Sequence, residues 1–245
     1  MSKLAEPVSP SIAQRPHRRT EIPALENGDH LSLEEFERRY NAMPAEVRAE
    51  LIEGRVFMAP AVSLNGHGTP HFYFTGALCS YALATPGVLG SNDSSIRLDI
   101  RNMPQPDVFL YIHPSCGGQA KVADDDYLAG APEFVAEIAA TPATYDLHEK
   151  LAVYARHGVR EYLVWRTYDN AVDYFTLGNG GYTRLDMTEG VYRSRVLPGL
   201  WLRPEAIIEW NWPVVLQTIQ QGVASPEHAD FLSKLQAAQK PPQTK

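Results

Sequence analysis

Two short apolar runs, each carrying a single acid, constrain this chain more than any other feature of it. In Pro106-Asp107-Val108-Phe109-Leu110 an aspartate opens a run that continues to Ile112, and in Phe134-Val135-Ala136-Glu137-Ile138-Ala139 a glutamate sits inside one. Runs of this length and composition suit buried central strands. A carboxylate embedded in such a strand is costly to bury unless something cationic compensates it. Side by side, the two strands would place Asp107 and Glu137 at neighbouring positions of one sheet edge. That arrangement suits a hard divalent cation, most simply magnesium or manganese. The alternative is that each acid ends a strand and pairs with an arginine or a backbone amide. Glu53, at the head of its own strand, is the candidate third carboxylate.

The remaining elements follow from periodicity and punctuation. Ser32 and Glu35 form a capping box for a helix continuing through Leu33, Phe36 and Tyr40. A short second helix is expected after Pro44, and the stretch 51–58 alternates like one strand. Residues 68–84 have helical spacing, and 95–100 is a further strand candidate. The segment 146–157 is the clearest helix, with Asp146 as cap, Leu147, Leu151 and Tyr154 on one side, and Gly158 as its stop. Strands are expected over 161–165, 172–177, 181–186 and 191–196, with a glycine-rich tight turn at 178–181. Helices and strands mix without regular βαβ alternation, which predicts an α/β or α+β fold with a mixed sheet. Residues 1–30, with four prolines, read as a flexible tail and 31–212 as the folded domain. Residues 213–245 read as a terminal helix over 226–238 and a polar tail.

Charge and composition exclude several classes. Twenty-two Lys and Arg against 29 Asp and Glu give a net charge of −7, which excludes a basic protein that coats nucleic acid. Two cysteines, Cys79 and Cys116, exclude a disulfide framework and a multi-cysteine zinc module. No apolar run is long enough for a membrane span, and the N-terminus has no apolar leader region, so a cytoplasmic location is expected. The helix beginning His148-Glu149 lacks the second histidine of a zinc-protease motif. His67 and His71 have the four-residue spacing of a metal pair, but Pro70 lies between them and no third ligand cluster stands out. Asp124-Asp125-Asp126 lacks the glycine and distal glutamate of a calcium loop and reads as a solvated turn. Phosphate-binding, dinucleotide and nucleophile-elbow motifs are absent from the sequence.

Taken in order, Glu50-Leu51-Ile52-Glu53-Gly54-Arg55-Val56, His67, Pro106-Asp107-Val108, residues 134–139, Tyr145-Asp146-Leu147-His148-Glu149-Lys150-Leu151, Tyr154 and 158–162 resemble the Uma2 family (DUF820). The resemblance spans roughly residues 31–210. It implies a restriction endonuclease-like core of the PD-(D/E)XK nuclease superfamily: a mixed β-sheet flanked by helices, with a C-terminal run of strands. It further implies that Glu53, Asp107 and Glu137 hold Mg²⁺ or Mn²⁺, and that Asp107 and Glu137 serve catalysis. The implied activity is metal-dependent endonucleolytic hydrolysis of phosphodiester bonds, DNA in the first instance. The superfamily lysine belongs two residues after Glu137, where this chain has Ala139. Lys150, on the following helix, is the natural substitute, and His67 is a candidate contact to the scissile phosphate. The implied partners are nucleic acid and a second copy of the chain as homodimer, with no membrane. The missing lysine keeps open a nuclease-fold module that binds without cutting.

Overall fold

The computed structural model describes residues 22–59, 61–140 and 145–239. Most of the expected tail at 1–30 lies outside these. Its described end, 22–30, packs on the body, with Leu25 buried and the Gly28 amide donating to the Val56 carbonyl at 2.8 Å.

Helix α1 (Leu33–Tyr40) starts where Ser32 Oγ accepts from the Glu35 amide. Only turns follow Pro44, because the chain must become extended at Arg48 to enter β1 (Ala49–Ile52). The stretch 51–58 is not one strand. It folds back at Glu53-Gly54 into β2 (Arg55–Met58), with Ile52 opposite Arg55. Both turn residues have positive φ, 54° at Glu53 and 76° at Gly54, as a two-residue hairpin turn requires. A π-type turn, Leu64–Gly68, leads into α2 (Thr69–Leu83), where Pro70 occupies the first helical turn without breaking it.

The central sheet is built from β3 (Val88–Asn92), β5 (Val108–Ile112), β8 (Phe134–Ala139), β9 (Glu161–Arg166), β10 (Ala171–Gly178) and β11 (Gly181–Arg184). Their spatial order is β11-β10-β9-β8-β5-β3. Within this sheet, among the described residues, only β8 and β9 pair in parallel; they are joined by α3 (Leu151–His157), which Gly158 ends in a left-handed cap. Short strands β4 (Ile96–Arg97), β6 (Lys121–Val122) and β7 (Leu128–Ala129) form one small sheet. Strands β12 (Met187–Thr188), β13 (Val191–Arg193) and β14 (Trp201–Leu202) form another.

Both faces of the central sheet are covered, which is why β5, β8 and β9 read as apolar runs. One face packs Phe74, Leu78 and Tyr81 of α2 against Ala136, Ile138 and Trp165. After the short helix α4 (Pro204–Ile208), helices α5 (Trp212–Val223) and α6 (Pro226–Ala238) join that same cluster through Val215, Ile219, Phe231 and Leu235. The folded core therefore continues past the expected boundary at 212. The other face packs Val135, Ala139 and Val164 against Tyr154 and Val159. Among the described residues no helix is long and apolar enough to cross a membrane.

Candidate active site

Strand register brings the two acids together. In the antiparallel β5–β8 pair Val108 faces Ala136, so Asp107 stands across from Glu137. Their groups interlock: the Ile138 amide donates to Asp107 Oδ2 at 2.6 Å, and the Asp107 amide donates to Glu137 Oε2 at 3.3 Å. Alternation along β8 puts Glu137 on the same face as Val135 and Ala139, under α3.

That face supplies the cation. A wide π-type turn, Tyr145–Lys150, precedes α3 and delivers Lys150, whose side chain is only 6% exposed, into the interior. Lys150 Nζ donates to Glu137 Oε1 at 3.0 Å and lies 3.2 Å from Glu50 Oε2 and 3.8 Å from Asp146 Oδ1. One helical turn on, the Tyr154 hydroxyl donates to the same Glu137 oxygen at 3.0 Å. Glu50, on β1, also accepts from the Gln105 amide at 3.1 Å. Tyr145 lies with its ring 5.3 Å from Lys150 Nζ and packs on Phe57.

Three carboxylates thus contact one ammonium, and a fourth, Asp107, stands beyond Glu137. Burial pushes Asp107 up to about 6, against the opposing pull of the Ile138 amide and the charges of Lys150 and His71. Burial likewise raises Glu137 well above the usual carboxylate range, with the Lys150 charge pulling it down and Asp107 adding repulsion. Asp146 is raised for the same reason. Burial alone would lower Lys150, but the surrounding charges of Glu137, Glu50 and Asp146 hold it well above an ordinary lysine.

The cluster opens into a cavity of about 490 Å³ lined by Glu50, His67, Asp107, Glu137, Lys150 and Tyr168. His67 Nε2 is 3.1 Å from Asp107 Oδ1, while its buried Nδ1 has no hydrogen-bond partner among the described residues. Burial, followed by the neighbouring charge of His71, lowers its pKa. A second hollow of about 610 Å³ shares His67, Gln105 and Asp107 and reaches Arg48, His71 and Asp93.

Of the candidate residues, Asp107, Glu137, Lys150 and His67 come together. Glu53 does not: at the tip of the β1–β2 turn, its exposed carboxylate pairs with Arg156. The hairpin explains this, because a turn tip points away from the strand bodies that line the cavity. The acid this hairpin does deliver is Glu50, signalled by Glu53-Gly54 as a turn dipeptide. Asp146 is no simple helix cap, since its carboxylate faces Lys150, and Tyr154 is more than packing. Ala139 is buried in the α3-facing core, so no amine reaches the cluster from the motif position; that of Lys150 does. The segment 141–144 after β8 lies outside the described residues.

A family model described as "Uma2: Putative restriction endonuclease" matches residues 33–205. The chain belongs to the Uma2 family. Its fold also matches the crystal structure of a "putative nuclease belonging to DUF820" from Anabaena variabilis ATCC 29413. That match has a TM-score of 0.55 and 13% sequence identity, and covers 71% of this chain and 97% of that one. No curated protein matches the sequence. This Uma2 chain therefore has the mixed sheet with flanking helices of the restriction endonuclease-like fold. Within that fold the Asp107–Glu137–Lys150 cluster occupies the adjoining ends of β5 and β8 and the head of α3.

The donor set suits a cation. Glu50, Asp146 and Glu137 share the single amine of Lys150, and Asp107 adds a fourth carboxylate beside Glu137. Asp107 is the pivot of two donor groupings: it faces Glu137 on one side, and on the other His71, Asp93 and Asp107 offer ligand atoms within 4.8 Å of one another.

Proposed function

We propose that this protein is a divalent-metal-dependent endonuclease that hydrolyses phosphodiester bonds in nucleic acid, DNA in the first instance. The observation that carries this reading is Lys150 Nζ at 3.0 Å from Glu137, with Asp107 directly across the strand pair. Two carboxylates and an amine thus meet at adjoining strand ends, although the amine comes from a helix and not from β8. Family membership and fold support it.

In this reading Asp107 and Glu137 hold Mg²⁺ or Mn²⁺. A divalent cation so placed neutralises phosphate charge and makes water more acidic. Lys150, held fully protonated, donates toward the phosphoryl oxygens and offsets the charge that develops on them. Glu50 and Asp146 fix the ammonium, and Tyr154 fixes the Glu137 carboxylate that the ammonium touches. His67, beside Asp107 and on the cavity wall, contacts the scissile phosphate. Hydrolysis adds the oxygen of water to phosphorus, breaks one P–O ester bond and returns a proton to the leaving oxygen. A two-fold homodimer would present two such sites to the two strands of a duplex.

The test is nicking of supercoiled plasmid, and cleavage of single-stranded DNA and RNA, with Mg²⁺ or Mn²⁺ and with chelator. Wild type cleaves only with metal, and Glu137→Gln and Asp107→Asn abolish cleavage. Failure of the wild type on every nucleic acid overturns the proposal. Metal-dependent binding without cleavage would identify a recognition module instead, the reading that Ala139 at the motif position favours.

A further inference from the structure

The histidine pair at the head of α2 is only half absorbed by the lysine–carboxylate cluster. His67 contacts Asp107 and lines the catalytic cavity, whereas His71 lines the neighbouring hollow together with Asp93. His71, Asp93 and Asp107 belong to three separate elements: the first turn of α2, the turn that follows β3, and the lead into β5. One ligand atom from each lies within 4.8 Å of the other two.

The main chain holds these residues in place. The Asp93 amide donates to the Asp107 carbonyl at 3.2 Å, and Gln105 Nε2 donates to the Asp93 carbonyl at 2.6 Å. Asp93 sits at φ 52°, a left-handed conformation that few residues other than asparagine, aspartate and glycine adopt. His71 Nε2 lies 2.9 Å from the same Asp107 carbonyl, which fixes the ring. Among the described residues Asp93 pairs with Arg48, whose side chain is 52% exposed.

Pro70 does not separate the two histidines, because it sits where a helix tolerates proline. Their rings stand 5.5 Å apart, edge to face. One imidazole with two carboxylates is a mixed nitrogen–oxygen set, better matched to a borderline ion than to magnesium or calcium, which take oxygen donors. The adjoining hollow leaves room for water or a substrate oxygen at the remaining positions.

We infer that His71, Asp93 and Asp107 form a second cation site, selective for Zn²⁺ over Mg²⁺, that shares Asp107 with the Glu137–Lys150 cluster. Such a site sets a positive charge on the side of Asp107 away from Lys150. It exists whether or not the protein cleaves nucleic acid.

The test is Zn²⁺ titration of the full chain by calorimetry, for wild type, His71→Gln, Asp93→Asn and Glu137→Gln. His71→Gln and Asp93→Asn each weaken Zn²⁺ binding by at least about 100-fold, the upper end of what loss of even an outer-shell partner costs. Glu137→Gln retains it. Nitrogen-15 NMR of histidine-labelled wild type supplies a reading that needs no variant: a His71 ring nitrogen shifts on adding Zn²⁺ and much less on adding Mg²⁺. Zn²⁺ affinity unchanged by His71→Gln, an unmoved His71 ring, or no Zn²⁺ binding by wild type overturns the inference. Failure of the nuclease proposal reads differently, as an absence of cleavage with His71-dependent Zn²⁺ binding intact.

Discussion

Glu50 Oε2 stands 3.2 Å from Lys150 Nζ, which ties the β1–β2 hairpin to the head of α3 through a buried charge pair. Lys150 is also the ammonium on which Glu137 and Asp146 depend. Removing it by Lys150→Met leaves carboxylates buried without their counter-charge, an outcome that costs about 3–5 kcal/mol. The loss is largest near neutral pH and shrinks near pH 5, where the raised carboxylates take up protons. Urea denaturation of wild type and variant at the two pH values measures it. An equal loss at both would mean that Lys150 contributes packing and not charge.

Glu53 provides the contrasting case. Its carboxylate is half exposed and pairs with Arg156 outside the cavity, so Glu53→Ala costs at most about 1 kcal/mol. The variant keeps wild-type Mn²⁺ affinity in calorimetry, whereas Glu50→Gln, which frees one partner of Lys150, alters it. Loss of Mn²⁺ binding in Glu53→Ala would reinstate that residue as a ligand.

The difference between these two glutamates shows where sequence reading stops. Asp107 and Glu137 were legible because an acid in an apolar run is a local anomaly, and strand pairing translates it directly into proximity. The Gly158 stop and the extent of α6 were equally local. Glu50 was not legible, because 51–58 alternates well enough to pass for one strand. Only the left-handed turn at Glu53-Gly54 decides which acid faces inward. The Lys150 contact depends on a π-type turn that rotates the side chain inward, a feature periodicity does not register. Asp93 depends on a tertiary contact between the turn after β3 and the lead into β5, which no spacing encodes.

Tyr154 donates to Glu137 from within the α3 face of the core, where water cannot replace it. Tyr154→Phe keeps the ring packing and removes one hydrogen bond to a charged group, at a cost of about 1.5–3 kcal/mol. The Glu137 carboxylate then loses one of the two donors on Oε1. If positioning of Glu137 matters for cleavage, kcat falls while KM for nucleic acid holds. A stability loss with kcat unchanged would confine Tyr154 to the fold.

Asp107 makes a prediction whose sign differs from ordinary acid denaturation. Its pKa rises from an ordinary 3.8 to about 6 in the folded chain. Between those two values the native state holds a proton that the unfolded state has released, so stability falls as pH rises through that window. Above about 6 both states are ionised and the burial penalty is fully present. Asp107→Asn removes the penalty, so the variant's stability relative to wild type climbs as pH rises from about 4 to about 6. The limiting slope is about 1.4 kcal/mol per pH unit, and the difference levels off above that range. His67 runs the other way: its lowered pKa contributes stability that is present above about 6.5 and lost as pH falls. Because His67 Nε2 lies 3.1 Å from Asp107 Oδ1, the comparison is repeated in a His67→Gln background, where that contribution is absent from both proteins. A bound divalent cation keeps the aspartate ionised in the native state and favours wild type instead, so Mn²⁺ should reverse the order of stability at neutral pH. Urea titrations across this range, without and with Mn²⁺, measure both effects. A difference between the two proteins that does not vary with pH would show that Asp107 does not carry a buried charge.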